Sequence, residues 1–65
     1  MNADDRLNRG DRVHVKTPHL RGWGTVKQWS ITDQGVSYRV HMDNGGGGWV
    51  LAANVRTPDE MARVA

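Results

Sequence analysis

Along two stretches of this chain, apolar and polar residues alternate with a period of two, and these stretches define the expected architecture. Arg12-Val13-His14-Val15-Lys16 turns Val13 and Val15 to one side, as a half-buried strand requires. Val36-Ser37-Tyr38-Arg39-Val40-His41-Met42 is a longer version, with Val36, Tyr38, Val40 and Met42 on one face and Ser37, Arg39 and His41 on the other. Between them, Gly24 to Trp29 reads as a further strand, with Val26 on one face and Thr25, Lys27 and Trp29 on the other. A bulge in that strand, the device by which small barrels bend, would reverse every residue beyond it.

The connections follow from the residues that break these patterns. Gly10-Asp11 introduces the first strand. Thr17 to Gly22 is a loop, since Pro18 lacks an N–H and holds Thr17 extended, and Gly22 and Gly24 give permissive backbone around Trp23. Thr32-Asp33-Gln34-Gly35 is a turn. The glycine run Gly45 to Gly48 joins two strand-like segments as a tight or mobile hairpin and delivers Trp49 into a short strand at Trp49-Val50. Leu51 to Asn54 suits one 3₁₀ turn, and Val55-Arg56 forms the last strand. Thr57-Pro58-Asp59-Glu60 then places an N-cap threonine, a proline at the first helical position and a glutamate three residues after the cap. Together these form a capping box, so a short helix through Met61 and Val64 is expected, its stability dependent on docking against the sheet. Residues 1–9 carry little to bury and read as a flexible lead-in, which leaves 10–57 as the folded unit and 58–65 as a short helix or tail.

Composition narrows this picture. With 65 residues there is room for a single core, and with no cysteine neither disulfides nor a cysteine zinc site can support it. Apolar packing alone, or packing aided by homo-oligomerisation, must hold the fold. Lys and Arg number 9 against 7 Asp and Glu, a net charge of +2 that does not by itself indicate nucleic acid. The acids gather toward the ends, in Asp4, Asp5, Asp59 and Glu60, so the central region is more basic than the chain as a whole. There is no apolar run of about 20 residues to span a bilayer and no signal-peptide pattern at the N-terminus, which points to a cytoplasmic protein without a membrane partner.

The succession of short strands with a 3₁₀ turn before the last resembles the SH3-like small β-barrels. Gly10-Asp11-Arg12-Val13-His14-Val15 followed by Gly22-Trp23-Gly24-Thr25-Val26 looks like the opening of KOW-type and related bacterial SH3-like domains, and Tyr38 to Gly45 matches their third strand and turn. The resemblance spans residues 10 to 56 and implies an all-β, five-stranded SH3-like barrel with a short C-terminal helix or tail. Its implication for function is weaker, since this barrel serves many activities. The plasmid-borne, pore-forming dihydrofolate reductases share the look, including a Gly-Asp-Arg-Val start. Their pore motif Val-Gln-Ile-Tyr would fall at Gly47-Gly48-Trp49-Val50, where none of its polar residues is present, so no catalytic residue is carried over.

The candidate chemistry is therefore that of binding. No Ser/His/Asp arrangement or paired carboxylates stand at a catalytic spacing, and no cofactor is expected. His14, His19 and His41 match no metal-ligand spacing. Gly45 to Gly48 lacks the Gly-Lys-Ser/Thr and the helix start of a phosphate cradle. Alternation turns Arg12, His14, Lys16, Lys27, Arg39 and His41 outward, and Phe is absent, so Trp23, Trp29, Trp49 and Tyr38 are the only aromatics. Three tryptophans do not all fit inside so small a core, and an exposed one marks a contact surface. The expected ligand-binding face is Lys27, Trp29, Arg39, His41 and Trp49, with cations for phosphates and indoles for bases. Nucleic acid, DNA or RNA, is the preferred partner, with a protein partner docking on exposed tryptophan as the alternative.

Overall fold

The computed structural model describes residues 7–64, and for Val64 the backbone only. Of the expected lead-in, residues 1–6 lie outside that range, as do Ala65 and the Val64 side chain. Five antiparallel strands form one sheet: β1 (Arg12–Lys16), β2 (Arg21–Thr32), β3 (Gly35–Met42), β4 (Gly47–Leu51) and β5 (Val55–Arg56). A 3₁₀ turn, Ala52–Asn54, separates β4 from β5, and helix α1 (Pro58–Val64) follows. The sheet order is β4-β3-β2-β1-β5. β4 and β5 are its edges, and among the described residues no ladder joins them, so the sheet is not closed by hydrogen bonds.

The two alternating stretches account for most of the core. Val13 and Val15 of β1, Val26 of β2, and Tyr38, Val40 and Met42 of β3 are buried with Val50 and Val55, while Leu7, Leu20 and Val36 pack against them. The β1 and β5 bounds coincide with the alternating and terminal segments of the sequence. The C-terminal helix begins on its capping box: the Thr57 N–H donates to Glu60 Oε1 at 2.9 Å, and the Glu60 N–H donates to Thr57 Oγ1 at 3.2 Å. In the described end of the lead-in, Leu7 is tied to β3 and Asn8 to the residue before β1. The Leu7 N–H donates to the Tyr38 hydroxyl at 3.0 Å, and the Asn8 N–H donates to Asp11 Oδ2 at 2.8 Å.

Three features depart from simple alternation, each for a local reason. β2 starts at Arg21, so the segment around Gly22 and Trp23 belongs to the strand instead of the preceding loop. Gly24 must lie in the strand without a side chain, because a Cβ there would stand 2.6 Å from Val40 Cγ1 and 2.8 Å from the His41 carbonyl oxygen. Within β2 the register steps from Val26↔Val40 to Gln28↔Arg39, which makes Lys27 the extra residue of a β-bulge. The third departure is Ser37, expected outward but only 7% exposed. It pairs with Leu51, where the chain enters the 3₁₀ turn, and its hydroxyl donates to the Val50 carbonyl at 3.2 Å, which satisfies the buried oxygen.

Candidate functional site

The bulge determines which candidate side chains meet. Where one extra residue is inserted, two residues of the bulged strand oppose a single residue of the partner, so Lys27 and Gln28 both lie against Arg39. Beyond the bulge the faces are exchanged. Trp29 pairs with Tyr38 and therefore lies on the core-side face of the sheet, 42% exposed beyond the end of the core. Straight alternation would have kept Trp29 with Lys27, and the bulge separates them.

On the outer face, Lys27, Arg39 and His41 line an open groove of ≈ 470 Å³, whose other wall is the glycine run Gly45 to Gly48. Trp49 stands directly across from Arg39 in the β3–β4 ladder and is 50% exposed, which puts an indole at the rim. Lys27, Arg39, His41 and Trp49 are thus brought to one place, and Trp29 is not. Gln28 joins them, a neighbour visible only once the bulge is known.

The glycine wall is more ordered than a mobile hairpin. Gly45, with φ +99°, occupies the left-handed region that a side chain disfavours. The Met42 N–H donates to the Gly46 carbonyl at 2.7 Å, the Gly45 N–H to the Met42 carbonyl at 3.0 Å, and the Gly46 N–H to Asn44 Oδ1 at 2.9 Å. Gly47 and Gly48 are already strand, paired with His41 and Val40. At Gly47 a Cβ would stand 2.6 Å from the Val40 carbonyl oxygen, so β4 approaches β3 there as only glycine allows. The run is a short turn followed by a flat strand, and it holds the groove open by having no side chains to fill it.

Asp43, at the start of this turn, is held from β1. Arg12 Nη1 and Nη2 donate to its two carboxylate oxygens, each at 2.7 Å, and Nη1 also reaches Thr25 Oγ1 at 3.3 Å. This bidentate hydrogen bonding holds the Asp43 carboxyl below its ordinary value, with smaller contributions from the Arg12 and His41 charges, and it raises Arg12. Among the described residues no other ion pair is formed, so Lys27 and Arg39 keep their charge available to a ligand. His14, which the alternation also turns outward, lies away from His41 and packs edge-on against Trp23, ring centroids 5.2 Å apart. Among the described residues no three metal-ligating side chains cluster, and no helix is long and apolar enough to cross a membrane. Comparison of the chain with family models, with curated proteins and with solved structures gives no match.

Proposed function

We propose that this chain is a non-enzymatic binding module of the SH3-like type, and that its outer groove takes single-stranded nucleic acid, DNA or RNA. The observation that carries this reading is the convergence of Lys27, Arg39 and His41 on one open groove beside exposed Trp49. Two permanent cations and an imidazole suit the phosphates of a strand, and an indole at the rim offers a π-face on which any base stacks. The lining includes neither a carboxylate nor a hydroxyl, so a polyanion in it meets no acidic side chain.

The direct test is titration of a fluorescein-labelled oligothymidylate, followed by anisotropy. Each phosphate contact on a single strand contributes a salt exponent of about 0.7, which at 0.1 M salt is a factor of about 5 in affinity. Arg39→Ala and Lys27→Ala should each weaken binding by about that factor. Full retention of affinity in both variants rejects the groove as the site. The alternative, a protein partner, is favoured by a different observation: Trp29 and Ile31, the latter 67% exposed, lie together on the core-side face of the β2–β3 hairpin. That reading gains if Trp29→Ala abolishes capture of one defined protein while Arg39→Ala does not.

A further inference from the structure

A second groove, of ≈ 810 Å³, opens on the outer face at the other end of the sheet, between β1, β2, β5 and α1. His14, Lys16, Arg21 and Arg56 line it, and Ala53 and Met61 provide apolar surface. The pairing in this groove is unfavourable for the isolated protein. Lys16 lies directly across from Arg21 in the β1–β2 ladder, and Arg56, directly across from His14 in the β1–β5 ladder, adds a third cation to the same groove. Like charges directly opposite destabilise a sheet, and the buried core does not need these residues, since Lys16, Arg21 and Arg56 are exposed.

The guanidinium groups are nevertheless positioned. Arg56 Nη1 donates to the Ala53 and Val55 carbonyls at 3.1 and 3.0 Å, and Arg21 Nε donates to the Thr17 carbonyl at 3.4 Å. Carbonyls orient a guanidinium without cancelling its charge. Among the described residues none of these cations forms an ion pair. Glu60, the nearby acid of α1, accepts the Thr57 N–H at 2.9 Å and attracts Arg56 without forming an ion pair with it, so it offsets only part of the positive charge there. Between the two grooves on β2 lie Trp23 and Thr25, and Arg12, directly across from Thr25, already matches the Asp43 carboxylate. A polyanion crossing from one groove to the other there meets an indole, a hydroxyl and a carboxylate already paired with a guanidinium.

We infer that this second groove holds phosphates of the same nucleic-acid strand that enters the Lys27–Arg39–His41 groove, so the two form one binding track across the sheet. The inference rests on the proposed function. Arg21 and Lys27 bound the track on β2, and at about 3.3 Å per residue their separation is about 20 Å. That length lies within the 33 Å long axis of the molecule. It corresponds to about six stacked nucleotides at about 3.4 Å each.

The test compares a tetranucleotide, which fills one groove, with a dodecanucleotide, which spans both, on the intact chain and on the double variant Lys16→Gln/Arg56→Gln. Loss of two phosphate contacts should weaken dodecanucleotide binding by about 25-fold at 0.1 M salt. Tetranucleotide binding, measured by amide shifts of Lys27, Arg39 and His41, should be unchanged. Thermal melting of the variant should stay close to that of the parent, relief of the Lys16–Arg21 repulsion offsetting the loss of the exposed Arg56 hydrogen bonds to the Ala53 and Val55 carbonyls. Equal dodecanucleotide affinity in parent and double variant, with Arg39→Ala still weakening both ligands, overturns the track and leaves the first groove standing. Loss of both ligands in the double variant with no effect of Arg39→Ala overturns the track as well, and the proposed site with it.

Discussion

Gly47→Ala is the substitution that most sharply tests how the groove wall is built. The added Cβ would sit 2.6 Å from the Val40 carbonyl oxygen, closer than real Cβ contacts come, and the obstacle is backbone that cannot swing aside. Either β4 lifts from β3 or the ladder bends, and forcing extra volume into a packed position costs about 1–3 kcal/mol. A domain of 65 residues has a total stability of about 3–10 kcal/mol, so this is a large share of it. Taking about 2 kcal/mol, and a shift of about 4–8 °C per kcal/mol for a domain this small, Tm should fall by about 8–16 °C. Gly46→Ala is the internal control. Its Cβ would meet only Asn44 Oδ1 at 3.4 Å, so its Tm should stay near the parent value or rise slightly through reduced freedom of the unfolded chain. Thermal unfolding followed by circular dichroism distinguishes the two. Equal melting of Gly47→Ala and Gly46→Ala would refute the close approach of β4 to β3 and the view of the glycine run as half turn, half strand.

Further outcomes follow from the same geometry. Trp49→Ala should weaken oligonucleotide binding by about 1–3 kcal/mol, the usual worth of one base stacked on an aromatic, whereas Trp29→Ala, on the opposite face, should leave it unchanged; anisotropy titration of both variants checks this. Thr57→Ala removes a helix N-cap and should cost about 1 kcal/mol, read as loss of helical ellipticity and an earlier melt. Because the folded pKa of Asp43 is lowered, the Arg12–Asp43 contribution to stability is complete above the ordinary carboxylate value of about 3.9 and is lost as pH falls through the folded pKa. Amide shifts of Gly45 and Gly46 should report that loss below pH 4, and Arg12→Ala should move the Asp43 titration up toward the ordinary value; an unchanged midpoint would contradict the ion pair.

Much of the fold was legible because it depends on short-range patterns. Val13 and Val15, and the Val36-Tyr38-Val40-Met42 face, mark β1 and β3 by alternation alone, and the Thr57–Glu60 capping box marks where α1 begins. The pattern gives β2 only Gly24 to Trp29, because Gly22 and the Thr32–Gly35 segment read locally as loop and turn residues, whereas the strand runs from Arg21 to Thr32 and Gly24 is required by neighbours more than a dozen residues away, the Val40 side chain and the His41 carbonyl. The groove was partly legible for the same reason. Arg39 and His41 share a face through simple alternation, and Trp49 joins them by pairing with Arg39. Unbroken periodicity puts Trp29 beside Lys27, and the structure has the reversal that a bulge in this strand brings, whose position at Lys27 has no signature in residue type. Arg21 and Arg56 could not be placed beside Lys16 from sequence, because their meeting requires the β1–β2 register and the β1–β5 pairing at once.

The measurement that bears most directly on the central claim is the salt dependence of tetranucleotide affinity in the parent chain and in Arg39→Ala. With Lys27 and Arg39 each neutralising one phosphate, log Kobs should fall against log salt with a slope of about −1.4, reduced to about −0.7 in Arg39→Ala. A flat dependence, or the same slope in both proteins, would contradict a phosphate-binding groove at Lys27, Arg39 and His41.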